Sequence, residues 1–254
     1  MDLPRNAFKA AIARRERQIG IWCSIPEALT VEMLAGTGYD WMLIDTEHSP
    51  IRSEGALPLL QAAAPYPTSC VVRPDWNDTV EIKRMLDIGV QTLLIPYVET
   101  VEAAEAAVRA IRYGPAGVRG MAGITRAARF GAVEDYARRA GEEICLLVQI
   151  ETAAALDNIE AIAAADGIDG LFIGPADLAA SLGFPGEPSH PEVMDAVLGA
   201  VRRIEAAGKP AGFLSLDDAA LEAVAEAGAT FIAVGVDIAL LRDEALRRRA
   251  LWPS

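Results

Sequence analysis

Seven polar residues at the ends of apolar runs define the chemistry this sequence offers. "WMLIDTEHSP" places Asp45, Glu47 and His48 directly after four apolar residues, and "VVRP" carries Arg73. "VQIET" brings Gln149 and Glu151, and "IGPADL" brings Asp177. Glu151 and Asp177 are hard oxygen ligands of the kind that hold Mg2+ or Mn2+ while leaving positions to water and substrate. Such an open cation chelates an α-keto acid through its carboxylate and keto oxygens, and polarising the carbonyl stabilises an enolate. Arg73 would add positive charge beside the developing oxyanion. His48, or a water it orients, would move protons near neutral pH. "GPAD" opens a turn or helix whose backbone N–H groups suit a substrate carboxylate.

Each residue also has a plainer reading. His48 suits a turn before Pro50, and Arg73 suits a surface ion pair. Glu151 and Asp177 suit the first turns of helices, where the dipole stabilises carboxylates. Conjunction is what favours a site. The lysines narrow the mechanism. Lys9 precedes the first apolar run, Lys83 lies inside a helical stretch and Lys209 begins a strand. None is placed to form an imine with a keto substrate, so a metal must supply the electron sink.

The elements that would position these groups are legible as eight β-rich apolar runs. They cover 19–25, 41–45, 68–74, 92–98, 144–151, 170–175, 210–215 and 230–237. Continuous apolar runs suit strands covered on both faces, as in a parallel sheet with helices outside. Ala-rich segments such as "TVEAAEAAVRAI" and "HPEVMDAVLGAVRRIEAAG" separate them, and several end in glycine before the next strand. Eight alternations in 254 residues point to a (β/α)8 TIM barrel, with a doubly wound open sheet as the competitor. No Ser-, Pro- or Gly-rich linker divides the chain, so one domain over 1–254 is expected. A barrel demands its catalytic groups at the C-terminal ends of strands. His48, Arg73, Gln149, Glu151 and Asp177 meet that demand. The irregular stretch 113–132 is long enough to be functional.

Composition excludes other classes. A net charge of −13 repels nucleic acid and anionic membrane surfaces. With 52% hydrophobic and 6% aromatic residues, the core must be mainly aliphatic. Cys23, Cys70 and Cys145 have no metal-binding spacing and read as buried thiols. The N-terminus lacks a signal-peptide core, and no run approaches the roughly 20 apolar residues of a spanning helix, so a cytoplasmic location is expected.

"GIWCSIP", "YDWMLIDTEHSP", "VVRP", "QTLLIPYVET", "VQIET" and "DGLFIGPADLAASLG", in that order, resemble the HpcH/HpaI family of metal-dependent class II pyruvate aldolases. That family includes 4-hydroxy-2-oxoheptanedioate and 2-dehydro-3-deoxyglucarate aldolases. The likeness runs from about residue 18 to residue 240. It implies Glu151 and Asp177 as ligands of Mg2+, Mn2+ or Co2+, and His48 as the acid/base. Asp87 in "MLDIG" would pair with that histidine, and Arg73 would stabilise the enolate. Gln149 and the Gly174, Pro175 and Ala176 backbone would bind pyruvate, while Asp45 would stand behind the metal's waters. Glu47 has the weakest claim to a direct role. Trp22, Leu214 and the 113–130 loop with Val118 would form the aldehyde pocket. The resemblance also implies a hexamer in which neighbouring subunits exchange their last helix. "VDIALLRDEALRRRALW" is helical and apolar on one side, which suits that exchange.

The activity implied is reversible cleavage of 4-hydroxy-2-oxo acids to pyruvate, or a hydroxypyruvate-like analogue, and an aldehyde. A related lyase acting on a CoA thioester or a phosphoenolpyruvate-type substrate would want a basic or Gly-rich cradle at the mouth, and none is clear. A non-catalytic barrel that binds metal and keto acid is the alternative of a different class.

Overall fold

Each of the eight apolar runs folds as a strand. They are β1 (Gln18–Cys23), β2 (Trp41–Asp45), β3 (Ser69–Arg73), β4 (Thr92–Ile95), β5 (Cys145–Ile150), β6 (Gly170–Ile173), β7 (Ala211–Leu214) and β8 (Phe231–Val236). The computed structural model describes residues 1–252, and among them these strands form a closed parallel barrel in chain order. β1 and β8 complete the ring, with Gly20 opposite Ala233. β4 is three residues shorter than its apolar run because Pro96 has no N–H for the ladder and Tyr97 turns left-handed, at φ 51°.

The helices are α1 (Ala7–Ala13), α2 (Ala28–Ala35), α3 (Ser53–Ala63), α4 (Thr79–Asp87), α5 (Val101–Ile111) and α6 (Tyr136–Glu143). There follow α7 (Ala153–Asp157), α8 (Ile159–Ala163), α9 (Pro175–Ser181), α10 (Pro191–Ala206), α11 (Asp218–Glu226) and α12 (Asp237–Ala250). None is long and apolar enough to cross a membrane among the described residues.

Strand alternation splits the core in two. Ile44, Val72, Leu93, Val148, Leu171 and Ile173 pack in the outer layer with helical residues, while Leu43, Val71, Leu94, Leu147, Phe172 and Phe231 fill the barrel. The N-terminal end is plugged. α1 buries Phe8 and Ile12 there, with the Phe8 ring 5.7 Å from Trp41 and 5.6 Å from Phe231. Side chains at Gly20 or Gly212 would collide with the Trp41 and Phe231 rings at 2.2 and 2.1 Å. Only the C-terminal end of the barrel is left for a site.

Two regions do not lie where an ordinary barrel element would. The 113–132 stretch follows α5, which runs back against the strands, so it sits at the plugged end. There the Met1 amino group donates to Ala132 O at 2.7 Å and Arg126 Nη1 to Ile88 O at 2.7 Å. Val118, 59% exposed, is therefore at the opposite end from the mouth of its own barrel. The other is α12. Its first residue, Asp237, accepts from Ser24 N and Ile25 N at 3.0 Å each, but every residue from Leu240 to Trp252 is exposed. Leu240, Leu241, Leu246, Leu251 and Trp252 thus present an uncovered apolar surface.

Candidate active site

The β2–β3 ladder sets Asp45 opposite Arg73, so two charged side chains share the top layer of the barrel interior. Asp45 takes Arg73 in both hands: Nε donates to Oδ1 at 3.0 Å and Nη2 to Oδ2 at 2.8 Å. Trp22 Nε1 adds a donor to Oδ2 at 3.1 Å, and the guanidinium carbon lies 5.1 Å from the Trp22 ring. Burial pushes the Asp45 carboxyl up, but bonding and charge from Arg73, with Trp22, outweigh it and hold it below its ordinary range. Arg73 Nη1 also lies 2.8 Å from Glu47 Oε2, an ion contact whose alignment leaves that oxygen without a hydrogen-bond donor. Two of the five guanidinium N–H groups, on Nε and Nη2, are thus taken by Asp45, which leaves the second on Nη2 and both on Nη1 without a hydrogen-bond acceptor among the described residues. The clamp fixes the plane of Arg73.

Across the mouth stand Glu151, just beyond β5, and Asp177, in the first turn of α9. Tyr97 joins them: its backbone N–H donates to Glu151 Oε1 at 2.7 Å and its hydroxyl to Asp177 Oδ1 at 2.9 Å. The bond to Asp177, then burial, pushes the phenol up to about 12. Glu151 is 1% exposed. Burial, opposed by the Tyr97 N–H and assisted by the charges of Glu47 and Asp177, raises its carboxyl to about 7. Gln149 Nε2 donates to Glu151 Oε2, and the buried Gln149 Oε1 has no donor among the described residues. Gly174 admits this arrangement, because a Cβ there would lie 2.6 Å from both Gln149 Nε2 and Glu151 Oε2.

His48 lies at the same rim with its side chain 62% exposed, and its one carboxylate contact among the described residues is Glu47 Oε2, 3.8 Å from Nε2. Asp87 ends α4 at the plugged end and pairs with Arg119 at 3.0 Å. Among the described residues no ion contact joins His48 to Asp87, and the two stand at opposite ends of one barrel. Leu214 and Val236 pack against the inner cluster that contains Trp22. A hollow of about 430 Å3 beside Glu47 is bordered by Ser49, Asp75, Glu81 and Arg84. Another of about 320 Å3, at the plugged end, includes none of these groups.

Sequence reasoning passed over Tyr97, although an aromatic just past β4 satisfied the same strand-end criterion as the acids. It also underweighted Glu47, whose side chain is 9% exposed and whose carboxyl burial raises against Arg73 and His48. Its adjacency to Asp45 in sequence concealed that both reach Arg73.

The donors suit a hard cation. Among the described residues no three His, Cys, Asp or Glu side chains form a metal-enclosing group. A cation would therefore rest on Glu151 and Asp177 and keep open positions. The unpaired acceptors Gln149 Oε1 and Glu47 Oε2 suit water or a cation nearby, and the crowding of Glu47, Glu151 and Asp177 is the repulsion that positive charge relieves.

Comparison with known proteins places the whole barrel in a family. The family model described as HpcH/HpaI aldolase/citrate lyase matches residues 18–243. The hydroxypyruvate/pyruvate aldolase of Sagittula stellata is 58% identical, over 99% of this chain and 100% of its own. The pyruvate aldolase of Rhizobium etli is 56% identical, over 98% and 99%. A solved structure of an HpcH/HpaI aldolase/citrate lyase family protein from Burkholderia cenocepacia superposes with a TM-score of 0.92 at 39% identity, over 97% and 98%.

Proposed function

We propose, because the chain belongs to the HpcH/HpaI aldolase/citrate lyase family, that it is a divalent-metal-dependent class II aldolase. It reversibly cleaves 4-hydroxy-2-oxo acids to pyruvate, or a hydroxypyruvate-like analogue, and an aldehyde. The observation that carries this reading is the pair Glu151 and Asp177, bridged by Tyr97 and facing a clamped Arg73. When bound, Mg2+, Mn2+ or Co2+ would supply Lewis acidity to the carboxylate and keto oxygens of the substrate.

The protein's own groups do the rest. Glu151 and Asp177 would hold the ion, Tyr97 orients both carboxylates, and Asp45 keeps Arg73 in plane behind them. Gln149 and the Gly174–Ala176 backbone receive the keto acid. Gly174 N–H already donates to Ile150 O at 3.1 Å and Pro175 has none, so the Ala176 N–H is the first one free for a carboxylate. The spare N–H groups of Arg73 balance charge on the keto oxygen as the C3–C4 bond breaks. His48, through a water, takes the proton of the 4-hydroxyl. Trp22 and Leu214 wall the aldehyde side with apolar surface. One methylene there changes discrimination by about 1 to 3 kcal/mol, so many aldehydes should be accepted.

A small-molecule metabolite is the partner, with neither nucleic acid nor membrane surface involved. The catalytic unit is one barrel domain over residues 1–254, working in the cytoplasm. Burial raises all three thiols, Cys70 to about 12, which makes them poor nucleophiles.

Methyl-proton exchange of pyruvate in D2O, followed by NMR, tests the reaction. Exchange with Mg2+ or Mn2+ and none with EDTA is expected. No exchange with metal would leave only a binding barrel, and exchange insensitive to EDTA would remove the ion from the mechanism.

The assembly is part of this reading. Asp87 and Val118 reach a mouth only if they belong to another copy, and the bare apolar surface of α12 suits exchange between subunits of a hexamer. Co-refolding the impaired His48→Ala and Asp87→Asn chains should then restore activity, because some mouths would combine intact residues from both. Sedimentation should give six chains. A monomer, or mixtures as inactive as their parents, would refute the shared site.

A further inference from the structure

The loop after α5 contains a side chain that the proposed chemistry does not use. Residues 120–124 are all exposed, yet the side chain of Arg119 beside them has no exposed surface. Its guanidinium carbon lies 4.4 Å from the Tyr113 ring and 5.9 Å from the Tyr136 ring. Nη2 donates to Asp87 Oδ1 at 3.0 Å, while Nε and Nη1 are buried without an acceptor among the described residues. A buried guanidinium with one hydrogen-bonded acceptor is expensive even when stacked on tyrosines, and an apolar residue of similar volume would fill the space at less cost.

What the arginine achieves is a fixed carboxylate. Asp87 is the last residue of α4, where a side chain has little to hold it. Arg119 binds Oδ1, and the Asp87 carbonyl accepts from Ala127 N at 3.2 Å, so the same loop grips side chain and backbone. Oδ2 has no partner among the described residues, and the side chain is 25% exposed. One oxygen is anchored inward and the other is presented outward.

We infer that Arg119 is a positioning residue for Asp87, holding its free Oδ2 at the surface where it meets His48 of a second copy. This rests on the proposed pairing of Asp87 with His48 between copies. Arg119 would touch neither substrate nor metal.

The test is a double-mutant cycle on the metal-loaded enzyme, with Arg119→Met, Arg119→Lys, Asp87→Asn and Asp87→Asn/Arg119→Met compared in 4-hydroxy-2-oxo acid cleavage. Arg119→Met should lower kcat about 100-fold with KM within about twofold, since displacing a catalytic partner by about 1 Å can cost that much. Arg119→Lys should recover part of the loss. Asp87→Asn/Arg119→Met should be no slower than Asp87→Asn, because the arginine acts only through the carboxylate. Losses that multiply in the double variant, or a wild-type kcat in Arg119→Met, overturn the inference while leaving the dyad standing. A wild-type kcat in Asp87→Asn removes the dyad and the inference with it. Sedimentation checks each assembly; if Arg119→Met does not assemble, Arg119→Gln replaces it and the same outcomes apply.

Discussion

Glu151→Gln is expected to lower kcat/KM on the order of 10³-fold, because it would remove one of the two charged ligands proposed for the divalent ion. The amide keeps the shape of the side chain and its oxygen can still accept from Tyr97 N, so the fold should survive. The same substitution tests the electrostatics of the metal-free protein. Glu151 titrates near 4.5 when unfolded and at about 7 in the fold, chiefly through burial. A raised carboxyl favours the folded state fully below the unfolded value. That contribution shrinks as pH rises from 4.5 to about 7 and is constant above, a loss of about 3 kcal/mol. Urea unfolding in EDTA should show the wild type more stable at pH 5 than at pH 7, and Glu151→Gln should lack this part of the slope. Metal binding competes with the proton, so apparent affinity should rise with pH up to about 7. A wild type whose metal-free slope matches that of Glu151→Gln would show that burial does not hold the proton on Glu151.

The barrel was legible because its signal is local. Eight runs are covered on both faces and therefore apolar throughout, and each strand falls within its run except β1, which starts one residue earlier at Gln18. The acids at the mouth were legible because each follows such a run immediately. Tyr97 was hidden by its own chemistry: a phenol after Pro96 looks like an ordinary strand-end aromatic, and its two bonds reach 54 and 80 residues along the chain. Arg119 was hidden for a related reason, since a basic residue in a Gly-rich loop reads as solvated until packing against Tyr113 and Tyr136 is seen. Asp87 and Val118 show the deepest limit. Sequence order says nothing of which copy supplies a group, and only the barrel's direction shows that neither reaches its own mouth.

Arg73→Met should destabilise the protein by about 3 to 5 kcal/mol at pH 7 and also lower kcat about 100- to 1000-fold, for separable reasons. The stability loss follows from Asp45, 3% exposed at its side chain, and Glu47, which lose the charge that offsets their burial. In the wild type, the lowered Asp45 carboxyl contributes stability above 3.8 that is lost only as pH falls through its depressed value. Without Arg73, burial is opposed chiefly by Trp22 and backbone N–H groups, so Asp45 should take a proton more readily and Glu47 should follow. The stability gap between wild type and variant should therefore narrow as pH falls from 7 to 5. Asp45→Asn/Arg73→Met removes the uncompensated charge and should regain most of the lost stability without regaining turnover, since no guanidinium then faces the keto oxygen. Urea unfolding and cleavage kinetics on the same samples separate the effects. If the double variant stays as unstable as Arg73→Met, the clamp is not what holds this layer together; if it turns over normally, Arg73 only supports the fold.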